Sequence, residues 1–240
     1  MNDEGKPRRF WKAATVAHGE GGFTIQLDGR TAQTPRRARL TLPSQAAAVL
    51  VAGEWDAVGE HLDLAHMPLT RLAFTAIDRV GGAREAVAGE VARYASADAL
   101  CYFAETPSAL VERQVDKWIP VLEWAERDLG LRFERATGIR HTPQPEPTVA
   151  RVRELALELD AFALTGFAWT ASLYGSAILA LAVQRGELDA ATAFDLSRLD
   201  EIFQAEHWGE DAEAAARTTA LRSDAISAGR WLEAVSSTGN

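Results

Sequence analysis

Cysteine and lysine are both scarce in this sequence. Cys101 is the single cysteine, so no disulfide can form within the chain, and its apolar surroundings, ALCYFA, favour packing in a core over use as a nucleophile. The three lysines are Lys6, Lys12 and Lys117, and none completes the G-x-x-x-x-G-K-[ST] pattern of a P-loop. A nucleotide site of that type is excluded, and no nucleotide ligand is expected.

Basic residues are outnumbered by acidic ones. The chain has 25 lysines and arginines against 34 aspartates and glutamates, a net charge of -9. Because proteins that bind nucleic acid use a surplus of positive charge against the phosphates, we expect a basic or neutral partner and no nucleic acid. The N-terminal residues lack the apolar stretch of a secretion signal. A cytoplasmic location is expected, or the mitochondrial matrix if a presequence has been removed.

Residue patterns that carry enzymatic chemistry are also missing. His61 and His66 are five positions apart, and no cysteine or histidine accompanies them at the spacing of a zinc site. A di-metal carboxylate site would need paired Glu-x-x-His motifs, whereas Glu206 is followed directly by His207. There is no G-x-S-x-G motif, and Ser176 lies in an apolar run where a nucleophile would be enclosed. We expect no enzyme, no catalytic residue, no metal and no cofactor.

Long apolar runs are limited to one. Residues 161–183 contain no charge and are long enough to cross a membrane, which takes about 20 apolar residues. Polar residues and glycines interrupt the run, and no pattern of flanking lysines or arginines sets an orientation. A membrane span is therefore the weaker alternative to a buried helix at the centre of a bundle. This central helix would present a stripe of small residues to a neighbour, namely Ala168, Ser172, Ser176 and Ala180.

The N-terminal part reads as β structure and the rest as helix, which predicts an α+β fold. The hairpin signal Asp28-Gly29 and the β-rich runs around it predict a small antiparallel sheet with strands at 10–17, 22–27, 31–34 and 39–42. Ser44 is placed to cap a helix at 45–58. We expect a β-rich N-terminal domain with one helix over 1–65, then a larger, mainly α-helical domain over 66–240 packed around the central helix.

Helical periodicity covers most of the second predicted domain. The predicted helices are 69–80, 83–95, a long helix from 108 to 129, 149–159, 161–183, 189–208 and 210–235. Three alternating prolines in 142–148 predict a stiff loop instead of a helix. In the helix at 45–58, Trp55 is expected to belong to the core, so that its replacement would mainly destabilise the fold.

The strongest candidate for function is the acidic segment 200–211. An apolar seam leads into it, formed by Leu196, Leu199 and Phe203, and the next seam positions are Glu206 and Glu210. Two interpretations are open. The helix end can simply run into solvent, as charge runs usually do. Alternatively the carboxylates and Trp208 are presented to a partner, since tryptophan is enriched at the centre of interfaces.

Short motifs in a fixed order carry a family resemblance over nearly the whole chain, from about Arg8 to Glu213. They are Arg9-Phe10-Trp11-Lys12, Leu27-Asp28-Gly29-Arg30 with Thr34-Pro35, Leu42-Pro43-Ser44, Glu54-Trp55-Asp56, Met67-Pro68-Leu69-Thr70 with Ala76-Ile77-Asp78, Asp98 with Leu100-Cys101-Tyr102, Gln114 with Trp118 and Pro120, and Asp200-Glu201 with Phe203-Gln204 and Trp208-Gly209. Together they resemble the assembly chaperone of the F-type ATP synthase that acts on the alpha subunit. Phe103 and Ile119 depart from the family pattern, where an arginine and an aspartate are expected.

The resemblance implies a chaperone of mitochondria and alphaproteobacteria that hydrolyses no nucleotide. It would act as a monomer, bind the unassembled alpha subunit and shield the surface that the beta subunit later covers. By this likeness the partner-binding residues are Glu201, Gln204, Glu206, Trp208, Glu210 and Asp211. Trp55, Asp78 and Ser176 are expected to be structural. The alternative is a small-molecule-binding protein or enzyme with a pocket beside the central helix.

Overall fold

The structure of the chain, a computed structural model, describes residues 6–138, 140–209 and 211–237. These residues form two compact units. The sheet unit contains 6–84, 160–166 and 230–237, and the helical unit contains the remaining described residues between 85 and 229. The prediction of folding domains at 1–65 and 66–240 stays a prediction. The compact units divide the chain elsewhere, because a second helix and two later segments belong to the same unit as the sheet.

The sheet unit is built on four antiparallel strands, β1 (Ala14–Gly19), β2 (Gly22–Leu27), β3 (Arg30–Thr31) and β4 (Thr41–Leu42). β2 is central and pairs with the other three, and its bounds are as predicted. The other three strands are shorter than predicted, and beyond β3 and β4 the pairing continues only as isolated backbone contacts such as the Gln33–Arg39 bridge. Asp28 and Gly29 have φ values of 48° and 80°, which confirms the hairpin turn between β2 and β3.

Helix α1 (Gln45–Asp56) packs against this sheet. The hydroxyl oxygen of Ser44 accepts the amide N–H of Ala47 at 3.1 Å, so the predicted cap is confirmed. Most of the buried side chains of α1 are small, which lets the helix approach the sheet closely: Ala47, Ala48, Val51, Ala52 and Trp55.

Helix α2 (Pro68–Asp78) follows, and a side chain of α1 caps its N-terminus. The Glu54 carboxylate accepts the amide of Leu69 at 2.9 Å and both the amide and the hydroxyl of Thr70 at 2.7 Å. Burial raises the pKa of Glu54, and these hydrogen bonds offset part of that rise. The pairing fixes α2 against α1 at a point where the amides of Leu69 and Thr70 would otherwise lack partners.

The helical unit begins with three helices and a small parallel pair of strands. Their bounds are α3 (Arg84–Ala95), β5 (Tyr102–Phe103), α4 (Ser108–Leu129), β6 (Ala136–Thr137) and α5 (Glu146–Glu158). α4 continues as one helix through Pro120. The loop predicted over 142–148 is partly wrong, since α5 already starts at Glu146. Pro147 lies in its first turn, where an amide N–H is not needed.

The predicted central helix is in fact two helices, α6 (Ala161–Tyr174) and α7 (Ala177–Gln184). Gly175 has a φ of +62° and Ser176 is extended, so the helix stops and restarts. The predicted stripe of small residues is therefore wrong: Ser172 is exposed, and Ser176 caps α7 by accepting the amide of Leu179 at 3.0 Å. The prediction of a buried hub holds best for α7, whose residues from Ala177 to Ala182 are all buried.

Three helices complete the chain, α8 (Ala190–Ser197), α9 (Leu199–Trp208) and α10 (Ala212–Ser236). The single helix predicted over 189–208 is wrong, because the backbone of Arg198 leaves the helical region between α8 and α9. Within the described part of the chain, none of the helices has both the length and the apolar character required to span a membrane.

Candidate partner-binding surface

Helix α9, which carries most of the predicted partner-binding residues, is held in place by α4. The indole N–H of Trp118 donates to the carbonyl of Leu196 at 3.1 Å, just before α9 begins. One turn earlier on α4, the amide of Gln114 donates to the Asp200 carboxylate at 2.7 Å. Both Trp118 and Gln114 are buried, so α9 is attached to the interior of the helical unit and not to a mobile surface.

Gln114 connects α9 to the strand end at Ala104 as well. Its side-chain oxygen accepts the amide N–H of Ala104 at 2.8 Å while its side-chain nitrogen donates to Asp200. Burial raises the pKa of Asp200, and the hydrogen bond from Gln114 acts in the opposite direction. Asp200 is thus a structural carboxylate, whereas its neighbour Glu201 is exposed.

Arg113 of α4 fixes the middle of the acidic segment. Its guanidinium lies 2.8 Å from the carboxylate of Glu206, and its central carbon lies 5.3 Å from the centroid of the Phe203 ring. The His207 ring stacks on Phe203 at 4.1 Å between centroids. Arg113 and His207 therefore both pack on the buried Phe203 ring, and Arg113 also holds the Glu206 carboxylate at the surface.

An open groove with a volume of about 880 Å³ lies between helices α9 and α10 and is called here the α9–α10 groove. Its α9 wall contains Arg198, Glu201, Ile202, Gln204, Ala205, Glu206 and Trp208, and Gly209 and Asp211 of the connection also line it. Its α10 wall contains Ala214, Arg217, Thr218 and Leu221. Trp208 is 77% exposed, which is unusual for so large an apolar side chain.

The structure brings together five of the six predicted partner-binding residues. Glu201, Gln204, Glu206, Trp208 and Asp211 all line the α9–α10 groove. Glu210, the sixth, lies outside the described residues. The seam of Leu196, Leu199 and Phe203 is buried, as predicted, and it ends before Glu206, whose side chain is 47% exposed. No buried unpaired carboxylate results, so the burial of Glu206 does not decide between a solvated helix end and a binding surface.

Sequence reasoning missed several residues of this surface. Ile202 is an exposed apolar residue of α9 outside the buried seam, and its apolar character beside acidic residues was a usable signal. Leu221 and Arg217 belong to the α10 wall of the groove. No sequence pattern places that wall beside α9, so these residues could be assigned only from the structure. The pairing of Arg113 with Glu206 had no signal at all, because their separation in sequence follows no helical spacing.

The three residues predicted to be structural lie away from this groove. Trp55 is 5% exposed, and its ring lies 5.2 Å from that of Trp11, whose indole N–H donates to the Trp55 carbonyl. Asp78 accepts the Thr34 hydroxyl at 2.6 Å and the amide of Arg36 at 3.2 Å. Ser176 caps α7, as described above. These contacts are consistent with the predicted structural roles.

The groove offers no arrangement typical of a metal or catalytic site. Among residues 6–138, 140–209 and 211–237, no group of three His, Cys, Asp or Glu side chains is placed to hold a metal ion. None of the residues that line the α9–α10 groove comes from 161–183, so it is not the pocket beside the central helix that the enzyme alternative requires. Burial raises the pKa of the Cys101 thiol far above its usual value, which opposes a nucleophilic role.

Comparison with known proteins identifies the family. A family model described as ATP12 chaperone protein matches residues 8–126. The crystal structure of Atp12 from Paracoccus denitrificans matches with a TM-score of 0.89 and 39% sequence identity, over 95% of this chain and 98% of that chain. The chain belongs to the ATP12 chaperone family. The family resemblance drawn from the ordered motifs is therefore confirmed.

Two further members of the comparison extend the ATP12 likeness across species. The Atu1473 protein of Agrobacterium tumefaciens matches with a TM-score of 0.89 and 44% identity, over 95% of this chain and 86% of that chain. Protein atp12, mitochondrial, of Schizosaccharomyces pombe is 29% identical over 219 residues, which is 85% of this chain and 75% of that protein. The predicted α+β fold, with a small N-terminal antiparallel sheet and a helical bundle, is confirmed by the structure and by its match to Paracoccus Atp12.

Proposed function

We propose that this protein is an assembly chaperone of the F-type ATP synthase that binds the unassembled alpha subunit. In this proposal it covers the alpha surface that later faces the beta subunit, and it leaves when the two subunits meet. It acts as a monomer without nucleotide or cofactor, in the bacterial cytoplasm or the mitochondrial matrix. Membership of the ATP12 chaperone family supports the chaperone role.

The observation that carries the proposal is the exposure of Trp208 beside carboxylates on a helix anchored by α4. The Trp208 ring is 77% exposed, and burying its apolar surface against a partner would be favourable. The anchoring contacts of Gln114 and Arg113 mean that little order has to be created in α9 on binding. A free subunit with an exposed interface aggregates unless it is covered, which gives such a rigid surface a use.

The direct test is co-expression of the ATP synthase alpha subunit with and without this protein, with the beta subunit as a control. We expect the recovery of soluble alpha to rise in its presence and that of beta to stay the same. Purified complexes should contain one copy of each protein by size-exclusion chromatography with light scattering. If alpha neither copurifies with this protein nor gains solubility, the proposal is wrong.

The surface is tested by reversing the charge of Glu206. Glu206→Lys should weaken alpha binding by about tenfold or more. The substitution removes a negative charge from the interface, and the new lysine would repel a basic partner surface. Its unfolding temperature should hardly change, since exposed ion pairs contribute only about 0–1 kcal/mol.

Glu126→Lys is the matched control for that substitution. Glu126 pairs with Arg132 at 2.7 Å and its side chain is 46% exposed, close to the 2.8 Å and 47% of Glu206 with Arg113. It lies outside the α9–α10 groove. Equal binding by Glu206→Lys and Glu126→Lys would show that the acidic segment is not the binding surface.

A further inference from the structure

The first half of α10 is largely exposed to solvent. Residues 212–220 are exposed all around the helix, except for the half-buried Ala215, whereas burial begins only near Leu221. Most side chains of this stretch, AEAAARTTA, are alanine or threonine, and Glu213 and Arg217 are the exceptions. Because the same helix continues into a buried second half, these exposed turns are held in helical form and are open to a partner.

One face of that stretch is the second wall of the α9–α10 groove. Asp211, Ala214, Thr218 and Leu221 follow one another at spacings of three and four, which places them on a single helix face. On the opposite wall Ile202 and Ala205 supply apolar surface, and Trp208 closes the groove beside the connection. Apolar side chains of both helices therefore line the groove, together with charged and polar ones.

The walls restrict the backbone conformation of an occupant. Both walls are α-helices whose central N–H and C=O groups are bonded within the helix, so neither offers a strand edge. An extended segment lying in the groove would leave its own backbone groups without partners from the protein. A helix satisfies its backbone internally and needs only side-chain contacts, as in other helix-in-groove complexes.

The charge around the groove restricts the composition of the occupant. Residues 198–217 contain six acidic residues and two arginines, a net charge of -4 within a chain of -9. Two of the acids, Glu206 and Asp211, line the groove near the connection, next to the exposed ring of Trp208. At this end a lysine or arginine of the occupant would meet the Asp211 carboxylate, the exposed part of the Glu206 carboxylate that pairs with Arg113 at 2.8 Å, and an aromatic face. The other end holds the Arg198–Glu201 pair at 3.1 Å, in which both residues line the groove.

We propose that the α9–α10 groove receives a short amphipathic helix of the alpha subunit, with an apolar stripe toward the groove and basic residues at the end nearest Trp208. This proposal rests on the proposed function and specifies the chemistry of the recognised segment. The largely exposed residues 212–220 of α10 would pack against that helix when it docks.

Two phenylalanine substitutions on α10 separate this inference from the proposed function. Ala214→Phe places a ring in the groove, whereas Ala216→Phe places the same ring on an exposed position of α10 outside it. We expect Ala214→Phe to weaken alpha binding by about tenfold or more, and Ala216→Phe by less than about twofold, measured by calorimetry. Ile202→Gln, which removes apolar surface without filling the groove, should weaken binding while Val115→Gln on α4 should not.

The outcomes are distinguishable. If the unchanged protein does not bind alpha, the proposed function fails and this inference with it. If alpha binds and Ala214→Phe and Ile202→Gln bind as well as their controls, only the helix-in-groove inference is overturned. Overlapping peptides from alpha supply the second arm: the peptide that binds should gain helical circular dichroism and contain lysine or arginine at one end. A bound peptide that stays extended, or one rich in acidic residues, also overturns it.

Discussion

Gln114 donates its side-chain amide to the carboxylate of Asp200 at 2.7 Å while accepting the backbone amide of Ala104 at 2.8 Å. One fully buried side chain therefore connects the strand end, α4 and the helix that carries the exposed acidic surface. Because the amide group is both donor and acceptor, no apolar or purely accepting side chain can replace it.

Replacing Gln114 tests this connection. Gln114→Leu should lower the free energy of unfolding by about 2–4 kcal/mol, because it leaves the Ala104 amide and the Asp200 carboxylate without a partner. Gln114→Glu should also destabilise, since two carboxylates would then face each other, but its cost should shrink as the pH is lowered and one of them is protonated. Urea unfolding at several pH values measures both, with Val115→Leu as the exposed neighbouring control. A cost for Gln114→Glu that does not depend on pH would contradict this account.

The features that sequence predicted correctly are those set by neighbouring residues. Ser44 caps α1 through an amide three positions away, and the Asp28-Gly29 turn depends on the conformations of those two residues. The apolar seam into α9 follows from helical spacing. In each case the information lies within a few residues, so a pattern in the sequence is enough to find it.

The features that sequence missed depend on distant residues. The break after Tyr174 is stabilised by Ser176 and by the buried carboxylate of Asp98, which accepts the amide of Ile178 at 3.1 Å. Seen alone, the run 161–183 gives no indication of that acceptor and reads as one helix. Likewise, the groove needs α9 and α10 side by side, and no spacing rule brings Arg113 to Glu206. The family motifs identified the acidic segment 200–211 as the candidate site, but the groove that this segment forms with α10 is found only in the structure.

Close packing at Gly166 gives a second test. A Cβ at this position would lie 2.5 Å from Cδ1 of Trp231 and 2.9 Å from Cδ2 of Leu232, so α6 and the end of α10 approach each other only because a side chain is absent. Gly166→Ala should destabilise by about 1–3 kcal/mol through overpacking. Gly53→Ala in α1 has no atom within 4 Å of the new methyl group and should stabilise by about 0.5–1 kcal/mol. Thermal unfolding distinguishes the two, and a stabilised Gly166→Ala would show that the helices can move apart at no cost.

The core role of Trp55 leads to a contrast between two substitutions. Trp55→Ala should cost about 3–5 kcal/mol, because it leaves a cavity beneath α1 next to Trp11. Trp55→Phe should cost far less, since the Trp55 indole N–H is buried and has no hydrogen-bond partner within the described residues. Removing that group relieves an unsatisfied donor while keeping an aromatic ring. Chemical denaturation gives both values. Equal losses for the two variants would mean that the indole shape, not its burial, is what the site requires.

Asp98 gives a prediction whose sign is fixed by its burial. Burial raises the pKa of this carboxyl from 3.8 to about 6, although Ser176 and the amides of Ile178 and Leu100 hydrogen-bond to it and act in the opposite direction. At pH values between these two pKa values, the folded state holds a proton that the unfolded state has released. Stability contributed by this group is therefore present at low pH and is lost as the pH rises through that window. The loss is on the order of 3 kcal/mol for a shift of about two pKa units.

The measurement is the free energy of unfolding of the unchanged protein minus that of Asp98→Asn, followed from mildly acidic to neutral pH. We expect this difference to fall as the pH rises, since asparagine cannot titrate. Asp189→Asn provides the opposite control. Hydrogen bonds from Thr192 and nearby amides lower the pKa of Asp189, an exposed cap of α8, so its contribution is present at neutral pH and is lost as the pH falls. A difference for Asp98→Asn that rises with pH would mean that the ionised carboxylate stabilises the start of α7, and that its hydrogen bonds outweigh the cost of its burial.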